Sequence, residues 1–376
     1  MRGHEVVPDE DEAVVGDSSV VARGETGELP GIGLRASSRA VLALLSGSGP
    51  VVGLTVLIIV SWTIFSVAGP AFIGSFNLYG IGQLAALDAV LGMAQVLLVA
   101  MARMNLAIGG VAAICVSLLG FLLSSVHVPL LVALVAVIGT GIIATVLIGV
   151  VELKTGLSSF IVTLAFLSVY SGGALLVTDH ANYQITSSLL NSVGSGTLFS
   201  NAICPLIAVT LVCAGALWII YNRTSLGWKM LAVGASERAA RASGVNVSRI
   251  LLAAYALSGL FAAIAAVMEA SYELNVNASL GQNWLLPSFI AVVLGGVALT
   301  GGEVTVVGLL LAALFYDSLQ SGLTILNVPS YWLECVQGVV LLAAVVADQL
   351  RRNRRRRARP VASGRVNKPS PVGISS

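Results

Sequence analysis

The chain has 376 residues, of which 57% are hydrophobic and 10% charged, with 40 glycines and a mean hydropathy of +0.94. That balance excludes an ordinary water-soluble domain and points to a membrane protein. The net charge of +2 hides a strong segregation, because acids crowd the beginning and bases the end.

Residues 1–38 carry Glu5, Asp9, Glu10, Asp11, Glu12, Asp17, Glu25 and Glu28 among few large apolar side chains. Such a segment cannot bury a core and reads as a disordered acidic tail. It also lacks the apolar stretch of a signal peptide. Residues 39–350 read as one transmembrane domain, in which apolar runs of bilayer length recur about ten times. The expected spans are Val51–Gly69, Gly82–Met101, Leu106–Ser125, Pro129–Val151, Ser159–Val177, Ala202–Ile220, Ile250–Ala270, Leu286–Thr300, Val304–Leu323 and Tyr331–Ala347. Threading them from an inside start puts all 20 basic residues on one side or in the tails joined to it. The opposite connections, 70–81, 126–128, 178–201, 271–285 and 324–330, hold no Lys or Arg. This is the positive-inside pattern, with both termini cytoplasmic.

Within the second span, Asp88 and Gln95 are polar groups in an apolar helix. Such groups face a bundle interior or a water-lined path, or make a structural hydrogen bond. The connection 178–201 is the longest on the basic-free side and is polar. The stretch 222–249 is a charged island between two spans. In it Ser236 is an expected N-cap, Glu237 suits the positive first turn, and Gly244 supplies the left-handed stop of a helix over 237–243. Either Asn246 or Ser248 caps the next span. A helix of about two turns needs something to dock on; Ala239, Ala240 and Ala242 leave it thin enough for another protein's groove. The plain alternative is a solvated loop helix. In the eighth span, Gly295, Gly296, Gly301 and Gly302 permit close packing or a break in the helix. Asp317, Gln320 and Glu334 add polar groups to the last two spans. Cys115, Cys204, Cys213 and Cys335 have no paired spacing and read as packing residues. Residues 351–376 form a basic cytoplasmic tail suited to anionic lipid rather than nucleic acid.

No phosphate-binding Gly-x-x-x-x-Gly-Lys-Ser/Thr loop is present, and the three histidines are scattered. The chain therefore reads as neither an enzyme nor a cofactor or metal binder. If ATP drives transport, hydrolysis belongs to a separate chain.

Gly234-Ala-Ser-Glu-Arg-Ala-Ala-Arg-Ala-Ser-Gly-Val-Asn-Val resembles the cytoplasmic coupling loop of ATP-binding-cassette importer permeases of the ribose and monosaccharide type, which are related to branched-chain amino-acid permeases. That family commonly has Asn where Ser236 stands. Ala291-Val-Val-Leu-Gly-Gly-Val-Ala-Leu-Thr-Gly-Gly and Ser159-Phe-Ile-Val-Thr-Leu-Ala are similar to further family segments. Arg103-Met-Asn-Leu-Ala-Ile-Gly departs from one, with Arg103 in place of Gly and Asn105 in place of Asp. Asp317 stands where the family is usually small and uncharged.

The resemblance implies an all-α fold of about ten helices with inverted repeats, the second to fifth spans mirrored by the seventh to tenth. It assigns ATPase coupling to Gly234, Glu237, Arg238, Ala240, Arg241 and Gly244. Candidate path residues are Asp88, Gln95, Asn105, Phe160, Thr163, Gly295, Gly296 and Thr300. The implied partners are an ATPase subunit, a second permease subunit of the same or another chain, an extracytoplasmic solute-binding protein and the lipid of the inner or plasma membrane. The implied cargo is a small neutral solute, a monosaccharide first, with nucleosides, autoinducer-like sugars and branched-chain amino acids as alternatives. An ion-coupled secondary transporter using Asp88 and Asp317 is the rival mechanism.

Overall fold

The computed structural model describes residues 50–179, 181–196, 204–299, 301–302 and 304–358. The acidic tail at 1–38, the end of the basic tail and Thr300 lie outside the described residues. The architecture is all-α, apart from one antiparallel ladder in which Tyr183 pairs with Val276 and Gln184 with Asn275.

Eight helices are long and apolar enough to cross a membrane. These are α1 Pro50–Ala68, α2 Ser75–Val99, α4 Leu130–Thr155, α5 Ser159–Thr178, α7 Pro205–Arg223, α10 Val247–Glu273, α12 Val306–Ile325 and the first part of α13 Ser330–Ala358. Two expected spans are shorter. They are α3, Ile108–Ser124, and α11, Leu285–Leu294, the latter entered through a 3₁₀ turn at Gln282–Trp284. The eighth span ends early because the backbone turns at Gly295 and takes a positive φ of 83° at Gly296.

The core is built around α2. Every residue from Ala85 to Ala100 is buried, and α7, α10, α11 and α12 pack on this helix. In a membrane, helices gain by close packing rather than by leaving water, so small residues mark the contacts. Where α4 meets α10, a Cβ at Gly141 would lie 2.7 Å from the Gly259 carbonyl oxygen. Polar ties are few and directed: Thr210 donates to the Ala86 carbonyl at 2.7 Å, and Trp62 donates to Ser318 Oγ at 2.9 Å. Apolar side chains such as Ile59, Leu176 and Leu342 point outward from α1, α5 and α13.

The two ends of the bundle differ. At one end the connection 178–201 contains the ladder strand and the short helix α6, Ser188–Ser195. Gln83 Nε2 and Tyr79 Oη bind the Gly194 and Gly196 carbonyls there. At the other end, the stretch expected as a loop at 222–235 is instead a helix, α8, Ser225–Ala235. Thr224 Oγ1 accepts from the Gly227 N–H to cap it, and Met230 and Val233 bury its inner face. Arg103, Lys154, Arg223, Lys229, Arg238, Arg241 and Arg249 all fall at this second end, in connections or terminal turns. Cys335 is exposed rather than packed, while the other three cysteines are buried.

Candidate functional site

The charged helix forms as expected. α9 spans Glu237–Ala242, with Ser236 Oγ accepting from the Ala239 N–H at 3.3 Å. Gly244 sits at φ +80°, and Asn246, not Ser248, caps α10 through the Arg249 N–H. The helix docks first on its own chain. Ala240, expected on a face open to a partner, is 5% exposed, because the Ser236–Gly244 turn folds α9 back against α8 and α10. Gly234 is likewise a packing position: a Cβ there would collide with the Ala100 carbonyl oxygen and lie 3.0 Å from Gly302 N. Arg238 is exposed and, among the described residues, has no ion-pair partner.

Arg103, which the sequence marks only as a departure from the family, is the centre of the charged end. Its Nη2 donates to Glu237 Oε2 at 3.0 Å, and its Nη1 lies 2.8 Å from Glu152 Oε1. The second contact is an ion pair without hydrogen-bond alignment, which leaves that oxygen unbonded. Glu152, 3% exposed, accepts from Tyr255 Oη through its other oxygen at 2.6 Å. Arg241, expected as a free docking charge, binds Glu237 at 2.7 Å one helical turn away. The Arg241 hydrogen bond, aided by Arg103, holds the Glu237 carboxyl below its ordinary value. Arg103 thus ties the exit of α2 to the start of α9, the end of α4 and the body of α10. A cleft of about 240 Å³ opens beside these residues.

The candidate path residues do not form one surface. Asp88 borders a cavity of about 550 Å³ with Glu269, Trp284, Asp317, Gln320 and Glu334. Asp88 and Asp317 both border it, one from α2 and one from α12. Phe160 is 53% exposed on the outside of the bundle, because α5 turns this apolar position away from α3. Thr163 is buried and spends its hydroxyl on the Ser159 carbonyl. Asn105 is buried and turns its Oδ1 back to the Ala107 N–H, shaping the entry to α3. Gln95 is fully buried and, among the described residues, both its amide atoms lack a partner; none of these three borders the cavity. Gly295 and Gly296 act in packing and chain reversal: a Cβ at Gly295 would meet Leu309 N at 2.9 Å. Of the described lining residues only Asp88 is among the expected path residues, and Glu269, Asp317, Gln320 and Glu334 join it only through the fold.

The family model of the branched-chain amino acid transport system / permease component matches residues 78–345. A ribose import permease of Bacillus subtilis is 30% identical over 306 residues, which cover 80% of this chain and 92% of that one. A fructose import permease of Rhizobium meliloti is 28% identical over 313 residues, 81% and 86% of the two chains. A permease of the autoinducer 2 import system of Salmonella paratyphi B is 32% identical over 248 residues, 65% and 74% of the two. No solved structure matches. With the match running from the start of α2 to within α13, the chain belongs to the branched-chain amino acid transport system / permease component family.

Proposed function

We propose that the chain is the membrane-embedded permease subunit of an ATP-driven importer, with α8, α9 and both termini in the cytoplasm and a monosaccharide as cargo. One observation carries the reading: a short capped helix, α9, is held at the basic end of the bundle by the Arg103–Glu237 contact. Its exposed edge carries Arg238 and Arg241. A helix this short keeps its shape only by docking, and this one is pinned on one side and open on the other. The open side is where an ATPase subunit binds. The concentration of Lys and Arg at that end supports its cytoplasmic placement in a plasma membrane. The opposite end, with its ladder and α6, receives an extracytoplasmic solute-binding protein. A second permease subunit completes the core.

The relatives named for import of ribose, fructose and autoinducer 2 support a sugar-sized cargo. The chain contributes positioning and a path, and ATP hydrolysis belongs to the partner. Reconstitution with the ATPase and binding protein encoded beside it tests this: ATP-dependent uptake of ribose, and none without the ATPase, is expected. Uptake of leucine but of no sugar would overturn the cargo, and failure of the ATPase to co-purify would overturn the importer.

A further inference from the structure

Among the described residues, the cavity around Asp88 is lined by four acids, Asp88, Glu269, Asp317 and Glu334, and by no Lys, Arg or His. They come from four different helices, α2, α10, α12 and α13, so the collection is a product of the tertiary fold. Asp88 and Asp317 are 8% and 3% exposed. Asp317 borders the cavity, and its Oδ2 has no hydrogen-bond partner among the described residues. A buried acid oxygen left unpaired is costly unless a ligand completes it. Among the described residues the lining therefore offers amide and hydroxyl donors but no positive charge to set against its acids.

The occupant is not a bare metal ion, because among the described residues no group of three such side chains is placed to ligate one. The space of about 550 Å³ lies within the range of small-molecule sites, which are roughly 300–1,000 Å³. Trp284, 7% exposed, adds an aromatic wall, and aromatic faces attract cations. Gln320 and Gln337 offer amides able to meet hydroxyls. A cleft with one sign of charge and low-dielectric walls concentrates the opposite charge.

We propose that this cavity binds a sugar-sized polyol carrying a protonated amine, with the ammonium held by Asp88 and Asp317 and the hydroxyls by Glu269, Glu334 and Gln320. The inference rests on the permease reading and adds to its monosaccharide cargo a preference for a sugar that bears an amine. An ammonium supplies what this lining lacks, a positive charge, and brings several donors on one atom. A neutral hydroxyl supplies one donor and no charge.

The test is equilibrium binding of glucosamine, glucose and N-acetylglucosamine to the full-length permease in lipid nanodiscs. Charge-assisted hydrogen bonds are about twice as strong as neutral ones, so glucosamine should bind about tenfold more tightly than glucose. N-acetylglucosamine removes the charge without touching the protein and should lose the advantage. Asp317→Asn should erase the preference for glucosamine over glucose. Equal binding of glucosamine and glucose, or no binding of glucosamine, overturns the proposal, and the ligand comparison holds even if the variant misfolds. Glucosamine binding without ATP-driven uptake would keep the site and sink the importer. Uptake of a neutral sugar with no amine preference would do the reverse.

Discussion

Replacing Arg103 with Met removes the charge and keeps most of the stem, so the two carboxylates it serves lose different amounts. Glu237 is 38% exposed and keeps Arg241 at 2.7 Å. Exposed pairs of this kind contribute at most about 1 kcal/mol. Glu152 is 3% exposed and, among the described residues, keeps only the Tyr255 hydroxyl. Removing one partner of a fully buried pair costs roughly 3–5 kcal/mol. Arg103 is itself 26% exposed, and solvent screening reduces that to about 2–3 kcal/mol. The Glu152 side therefore dominates. A double-mutant cycle separates the two: Arg103→Met, Glu152→Gln and both together, against Arg103→Met with Glu237→Gln. Detergent-induced unfolding of the purified permease is the assay, with ATPase co-purification alongside. The expected coupling is about 2 kcal/mol for Arg103–Glu152 and below about 1 kcal/mol for Arg103–Glu237. Additive effects in the first cycle, or a larger coupling in the second, would refute this ranking.

Gly244→Val places a β-branched residue at φ +80° with no neighbouring atom to collide with. A local cost of about 1–3 kcal/mol should appear as lost amide protection in α9, while Gly244→Asn is better tolerated. Gly234→Ala drives a methyl into the backbone of Ala100 and Gly302 and should lower the unfolding midpoint by an overpacking cost of about 1–3 kcal/mol. Gly215→Ala, with open space around it, should leave the midpoint unchanged. Glu237 is held below the ordinary glutamate value of 4.5, first by the Arg241 hydrogen bond and then by Arg103. A depressed carboxyl contributes stability above its unfolded value and loses it as pH falls through the folded one. Protection of α9 should therefore be flat from neutral pH to 4.5 and fall only in more acid solution; a loss already near pH ~6 would contradict it.

The parts legible in the sequence are those set by near neighbours. The Ser236 cap, the Gly244 stop and the Asn246 cap each depend on atoms within a few residues, and the spans follow from length and apolarity. Contacts between distant residues were not legible. Arg103 stands out as an oddity, but its partner Glu237 is 134 positions away, and no local pattern announces Glu152. Phe160 misleads for a different reason. A membrane helix is apolar on its lipid face and its protein face alike, so periodicity cannot tell inside from outside. The stretch that forms α8 hides because Ser225-Leu-Gly-Trp-Lys has turn-forming residues in its first turn, and Thr224 converts them into a capped start. Asp88 and Asp317 are each visible as polar residues in apolar helices. That they border one cavity is a property of how α2 and α12 pack.

The two sites are joined by backbone, and that decides how one can act on the other. Asp88 and Ala100 lie on one helical run, and twelve residues of α-helix separate them by about 18 Å. At its basic end the Ala100 carbonyl accepts from Gly302 N at 3.0 Å, while Gly234 of α8 and Gly301 close against the same oxygen. Main chain meets main chain there, with no side chain to rotate out of the way. The turn at 301–302 also leads into α12, which carries Asp317. A displacement of α8 and α9 thus bears at once on the ends of the two helices whose middles hold the facing acids. Packed helices move as rigid bodies rather than deforming continuously. Arg103 adds the third tie, because Glu152 belongs to α4, and α4 packs on α10, the helix of Glu269. Three of the four cavity acids therefore stand on helices anchored at the α9 end. Glu334, on α13, is the exception, and it lies at the exposed rim. A movement imposed at α9 should therefore change the spacing of Asp88, Asp317 and Glu269, and a distance measured between labels on α2 and α12 that stays fixed when the ATPase binds would refute that coupling.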